Sequence, residues 1–205
     1  MSIKLNLGCG TKKKEGWVNI DSAVDCQPDI LQDLSKPLPF DDQSVDEILA
    51  DAVLEHFDKY ARYFIVYDWA SVLKMGGVIT VGVPNFQKII YRYFKWNFDD
   101  FVDTIFGETM WESRYYIGHF GSHKWGYSEK SLKKFLELFG ITDISIQKQS
   151  LALIAHGRKS RHVSFEELKG LQIYSPNNAC GNGKAYMTLE EIQKLTGFKS
   201  KRVDI

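Results

Sequence analysis

Two glycines and three carboxylates carry the first chemistry that this sequence offers. The run Lys4-Leu5-Asn6-Leu7 breaks directly into Gly8-Cys9-Gly10, and glycines at such a break let the backbone turn and approach a ligand with no Cβ in the way. Asp21 then follows Trp17 to Ile20, Asp33 follows Asp29 to Leu31, and Asp51 follows Val45 to Ala50. An ionised carboxylate accepts hydrogen bonds and never donates them. Asp21 therefore suits the two hydroxyls of a ribose, and Asp33 the exocyclic amine of an adenine, with the N–H of Leu34 left for a ring nitrogen. No lysine or arginine cradle for phosphate accompanies them, because Lys12-Lys13-Lys14 reads as a solvated face. The ligand that fits is a nucleoside without phosphates.

A second set of residues could move a proton or touch an acceptor. His123 lies in the aromatic, glycine-spaced stretch before Ser128, His119 sits in Tyr115-Tyr116-Ile117-Gly118-His119-Phe120-Gly121, and Tyr127 closes the stretch. Each is a candidate general base or acceptor contact, a role needed only where the acceptor must lose a proton. Glu55 and His56 follow the fourth apolar run and read as structural or cofactor-side groups. Trp96, Trp111, Tyr115, Tyr116 and Trp125 read mostly as core, with one or two lining a pocket.

The elements that must position these residues alternate. Short strands at Ile3 to Leu7, Trp17 to Ile20, Asp29 to Leu31, Val45 to Ala50 and Val78 to Val83 surround a helix with Tyr60, Tyr63, Phe64, Tyr67, Ala70 and Leu73 on one face, capped by Asp58. That alternation predicts an α/β fold with a doubly wound, mostly parallel Rossmann-like sheet, whose ligands bind at the carboxyl ends of the strands. Gly8 to Gly16 is too short for a full crossover helix, so the first helix is expected to be truncated to about a turn. Asp143 to Gln149 and Leu151 to Ala155 predict a late antiparallel pair, after a helix that Ser128 caps and Gly140 ends. Ser164 to Glu167 and Thr188 to Glu191 have the capping-box pattern of two short helices. The expected organisation is a main domain over 1–155, with an acceptor-facing insert at about 86–127, and a small helical and loop extension over 156–205 packed on it.

Composition narrows the function classes. The 205 residues are 44% hydrophobic, enough for one ordinary core, and 26 basic side chains balance 26 acidic ones. With no net charge and one dense basic cluster, Arg158 to His162, read as a surface loop, a nucleic acid partner is not expected. No apolar stretch approaches the roughly 20 residues of a membrane helix. Cys9, Cys26 and Cys180 have no C-x-x-C spacing, and no signal-peptide pattern precedes the first strand, so a reducing, cytoplasmic setting and no metal centre are expected.

The ordered set of motifs resembles the class I S-adenosylmethionine-dependent methyltransferases. It runs from Leu5-Asn6-Leu7-Gly8-Cys9-Gly10 through Gly16-Trp17-Val18-Asn19-Ile20-Asp21, Asp33-Leu34 and Leu38 to Ile48, then Val53-Leu54-Glu55-His56, Val72 to Gly77 and Pro84-Asn85. His123-Lys124-Trp125-Gly126-Tyr127 and Ser128 to Gly140 resemble the approach to the family's last helix and that helix itself. The resemblance implies that Gly8, Cys9 and Gly10 contact the methionine part of S-adenosylmethionine. It likewise implies that Asp21 binds the ribose, that Asp33 and Leu34 bind the adenine, and that Asp51 lies near the sulfonium and the cofactor's amino group. The implied reaction is methyl transfer to an oxygen or nitrogen of a small-molecule or sugar-like acceptor. Two other readings start from the same residues. A non-catalytic nucleoside-binding domain would use the C-terminal extension to hold a partner. A nicotinamide oxidoreductase fits poorly, because Lys13 stands where its third glycine belongs and no catalytic constellation for hydride transfer is visible. Oligomeric state has no signature in the sequence.

Overall fold

Parallel strands are ordinarily joined through a dozen or more residues, usually a helix, and the first crossover of this chain holds a loop in place with asparagine side chains instead. Strands β1 (Lys4–Leu7) and β2 (Val18–Asp21) pair in parallel with Asn6 opposite Asn19, both buried. Asn6 Nδ2 donates to Asn19 Oδ1 at 2.9 Å and to the Lys12 carbonyl at 3.1 Å. Asn19 accepts from the Lys14 N–H at 2.8 Å and donates to the Lys14 and Trp17 carbonyls and to the Asp29 carboxylate. Both buried amides are thereby hydrogen-bonded, as burial demands. Bonds from the Asn19 backbone and side chain hold the Asp29 carboxyl below its usual range. A single turn, closed by the Lys12 N–H on the Cys9 carbonyl at 2.8 Å, is what remains of the expected first helix.

The structure is a computed structural model describing residues 2–93, 98–106, 122–174 and 186–197. Its main sheet adds β3 (Ile30–Leu31), β4 (Val45–Asp51), β5 (Leu73–Pro84), β6 (Ile141–Gln149) and β7 (Ala152–Lys159) in the order β3-β2-β1-β4-β5-β7-β6. Neighbours from β3 through β5 are parallel, and β7 runs antiparallel between β5 and β6. The α/β architecture with one late antiparallel strand is therefore present. The helices are α1 (Ala61–Val72), α2 (Phe86–Tyr93), α3 (Phe98–Phe106), α4 (Glu129–Glu137), α5 (Phe165–Leu168) and α6 (Leu189–Thr196), and β8 (Gln172–Tyr174) pairs with β9 (Tyr186–Thr188). Capping boxes at Ser164 and Thr188 open α5 and α6 as their patterns predict, and Ser128 caps α4 together with Ser131.

One face of the sheet, with Leu5, Leu7, Ile20, Ile48, Ala50, Ile79, Val81 and Val83, forms the core with α1 and α4. The other face is half-buried and carries cross-strand polar pairs, Lys4 with Glu47 at 2.8 Å and Thr80 with His156 at 3.0 Å. Helix α1 differs from its expected single apolar face, being buried around most of its circumference, Arg62 and Asp68 included. The reason is a further layer: Phe165 of α5 lies against Phe64 and Tyr67, with ring centroids 6.2 and 6.0 Å apart. Asp68 accepts the Leu38 N–H at 2.8 Å, and Asp58 accepts the N–H groups of Tyr60 and Ala61 at the entry to α1.

The basic cluster is the clear departure from the sequence reading. Arg158 and Lys159 are not in a surface loop, because the antiparallel ladder continues until Lys159 pairs with Ile141. Lys159 is buried, and its Nζ donates to the Ala70 and Leu73 carbonyls at 2.6 and 2.8 Å, at the end of α1. Arg158 bonds the Gly76 carbonyl, and exposed Arg161 pairs with Glu167 at 2.7 Å.

Candidate functional site

The strand order reverses between β1 and β4, and the crevice outside such a reversal is where open α/β sheets bind ligands. On the β1 side, Gly8 and Gly10 have φ of 61° and 49°. A Cβ on Gly8 would overlap Val53, so this glycine makes room as well as the turn. Gly10 has open space around it and is needed for its backbone conformation alone. Its N–H donates to Asp21 Oδ2 at 2.7 Å, while the Ala23 N–H donates to Oδ1 at 2.9 Å. Two main-chain donors thus fix the Asp21 carboxylate and leave each oxygen a further lone pair.

Between them lies Cys9, buried, its N–H on the Ile20 carbonyl at 3.1 Å. Burial first, then the charge of Asp21, pushes its thiol up to about 11. Thiolate is the reactive form, so Cys9 should resist alkylation. Iodoacetamide labelling at pH 8, read by peptide mass spectrometry, should modify half-buried Cys26 before Cys9; equal rates would contradict this placement. Asp33 follows β3 with Oδ1 on the Ser35 N–H at 2.8 Å, and Leu34 beside it is buried. The Gln32 N–H on the Asp21 carbonyl, at 2.8 Å, ties the two strand ends together.

On the β4 side, Asp51 pairs in register with Gly82 of β5. A Cβ on Gly82 would strike the Asp51 carboxylate, so that glycine is what lets the acid lie across the strand end. Ala52 follows at φ 56°, its N–H on the Gly82 carbonyl at 3.0 Å. An alanine held there is strained, a condition that clusters at functional sites. The sequence reading missed Gly82, whose signal was a lone glycine inside the β-branched run Val78 to Val83.

A short 3-10 turn, Leu54–His56, comes next and gathers residues far apart in sequence. The Glu55 carbonyl accepts the N–H groups of Lys124 and Trp125 at 2.7 and 3.1 Å, which fastens the segment before α4 over the turn. His123 comes with it, and the His56 and His123 rings lie 5.1 Å apart, tilted by 50°. His56 Nδ1 faces the Ser122 carbonyl at 3.2 Å and His123 Nδ1 the Ile105 carbonyl at 3.3 Å. Burial lowers both imidazole pKa values. Glu55 is 1% exposed with no hydrogen-bond partner on either oxygen among the described residues. Its burial, with the charge of Asp51 adding, raises its carboxyl to about 8. Tyr127 is buried against Phe135 and Arg62, and burial pushes its hydroxyl up to about 12, which keeps it protonated at neutral pH. His119, with Trp96, Trp111, Tyr115, Tyr116 and Cys180, lies outside the described residues.

No protein-family model matches the chain, and no curated protein does either. Solved structures do. An S-adenosylmethionine-dependent methyltransferase from Methanosarcina mazei superposes with a TM-score of 0.54 at 20% identity, over 76% of this chain and 91% of its own. A possible histamine N-methyltransferase from Thermotoga maritima does so with a TM-score of 0.54 at 15% identity, over 78% and 82%. The chain has the class I methyltransferase fold. A possible exported protein from Bordetella parapertussis also matches, with a TM-score of 0.53 at 13% identity over 78% of this chain, which spans 62% of that one. Gly8 to Gly10, Asp21, Asp33 and Asp51 lie at or just beyond the carboxyl ends of β1, β2, β3 and β4. Among the described residues no helix is long and apolar enough to cross a membrane.

Proposed function

We propose that this chain transfers the methyl group of S-adenosylmethionine to an oxygen or nitrogen of a small-molecule or sugar-like acceptor. The observation that carries the reading is the Asp21 carboxylate, fixed by the Gly10 and Ala23 N–H groups beside the strand-order reversal of a methyltransferase fold. Gly8, Cys9 and Gly10 would line the methionine part of the cofactor, Asp21 would hold the ribose hydroxyls, and Asp33 with the Leu34 N–H would take the adenine edge. Asp51 would face the cofactor's amino group and positive sulfur. The room left by glycine at Gly8 and Gly82 fits a ligand lying along this edge.

The cofactor, when bound, brings a methyl group already activated by its sulfonium charge. What remains for the protein is to align the acceptor and exclude water, which can supply most of the acceleration. His123, neutral through burial, would hold an acceptor hydroxyl or take its proton, with Tyr127 as a further contact; His119 joins them on sequence grounds. Two unpaired cysteines, Cys9 and Cys26, fit a reducing, cytoplasmic setting.

Calorimetry with S-adenosylmethionine and with its demethylated product is the test. One saturable site per chain is expected, and no heat of binding at millimolar ligand would sink the reading. Transfer of labelled methyl from the bound cofactor to a panel of sugars, alcohols and amines would then name the acceptor class.

A further inference from the structure

Methyl transfer gives no reason for Glu55 to be buried without a partner beside two histidines. One carboxylate oxygen of Glu55 and one ring nitrogen each of His56 and His123 lie within 4.8 Å of one another. We propose that these three residues bind a first-row divalent transition-metal ion, such as zinc, iron(II) or manganese(II), and leave coordination positions open on it.

The Glu55 side chain is the first support. Both of its oxygens are buried and make no hydrogen bond among the described residues, a state that native proteins seldom tolerate and that calls for an explanation such as an ion. An ordinary ion pair does not explain it, since neither imidazole hydrogen-bonds the carboxylate. The second support is the orientation of the rings. Each Nδ1 faces a main-chain carbonyl, of Ser122 for His56 and of Ile105 for His123. Further main-chain carbonyls, of Ala52 for His56 and of Thr104 for His123, lie close to the same rings. A neutral imidazole that donates one N–H to a carbonyl has its lone pair on the other nitrogen, and carbonyl-anchored imidazoles are how proteins set histidines as metal ligands.

The backbone supplies the third. The His123 N–H is held by the Phe106 carbonyl at 2.7 Å, and the two bonds to the Glu55 carbonyl clamp residues 124 and 125 to the turn that bears Glu55 and His56. The ligands therefore sit on braced segments. Metal bonds of about 2.0–2.2 Å would draw the three donors closer together than they are here.

Two imidazoles and one carboxylate favour zinc or iron over magnesium or calcium, which prefer all-oxygen sets. Three protein ligands leave at least one position for water or for an oxygen of a substrate. The site lies one turn beyond Asp51, so an ion there would meet the acceptor rather than the nucleoside. That last role rests on the proposed methyl transfer, and in it His123 would hold the ion instead of taking the acceptor's proton; the metal site itself does not rest on that reading.

The test uses the full chain, stripped with a chelator and titrated with zinc, manganese(II) or iron(II) in the absence of any cofactor. One ion per chain at micromolar affinity is expected. Glu55→Gln and His123→Ala should each weaken it about 100-fold or more, beyond what loss of a supporting group does, while circular dichroism confirms that the variants fold. Cobalt(II) provides a second reading that needs no variant: ligand-field bands from nitrogen and oxygen donors are expected. A thiolate-to-cobalt band would put the ion on a cysteine and overturn the assignment. So would the absence of saturable binding, or folded variants that bind like the wild type. Failure to bind S-adenosylmethionine would leave this outcome untouched.

Discussion

Replacing Asp21 by alanine should weaken binding of S-adenosylmethionine and of its demethylated product by roughly 100-fold, about 3 kcal/mol. The estimate follows from two hydrogen bonds between a charged acceptor and ribose hydroxyls, each contributing about 1.5–3 kcal/mol, discounted because water replaces part of them. Asp21 also receives the Gly10 and Ala23 N–H groups, so the alanine variant loses the anchors of the glycine turn as well as the ribose acceptor. Asp21→Asn separates the two effects. It keeps one oxygen for a main-chain donor but turns an NH2 towards the other, and it should retain most of the thermal stability while still losing most of the affinity. Calorimetry on samples matched for folded fraction measures this directly. Unchanged affinity in a folded Asp21→Ala protein would move the ribose site elsewhere.

What could be read from the sequence was local or ordered along the chain. The apolar run into Gly8-Cys9-Gly10 and the acids after successive strands lie within a few residues of the backbone they act through, so spacing alone placed them at one edge of the sheet. The capping boxes at Ser164 and Thr188 were legible for the same reason, each closing within four residues. What escaped the sequence depends on the register between distant segments. Asn6 and Asn19 look like ordinary strand residues until parallel pairing sets them opposite each other, where they replace a helix. Glu55 and His56 meet His123 only because the Lys124 and Trp125 N–H groups return to the Glu55 carbonyl. The expected one-sided apolar face of α1 failed because Phe165, a hundred residues later, covers its outer side.

Lys159 is the sharpest instance of that limit, and its loss should have the largest effect on stability of any change discussed. In a run with Arg158 and Arg161 it reads as surface charge, yet the ladder of β7 carries it under the end of α1. Carbonyls at a helix end have no partner within the helix, and the dipole there favours a cation. Lys159 meets both conditions through its bonds to Ala70 and Leu73. Lys159→Met keeps the aliphatic volume and removes the donor, leaving two carbonyls unsatisfied in a dry site at about 1–3 kcal/mol each. A loss of about 3 kcal/mol is expected, which for a chain of this size lowers the thermal midpoint by roughly 6–12 °C. Lys4→Met, which breaks the half-exposed pair with Glu47, should change stability by less than about 1 kcal/mol. Thermal melts of the two variants side by side decide the matter. If Lys159→Met melts no earlier than Lys4→Met, the lysine does not close the end of α1, and the register of β7 against β6 must differ from the one described.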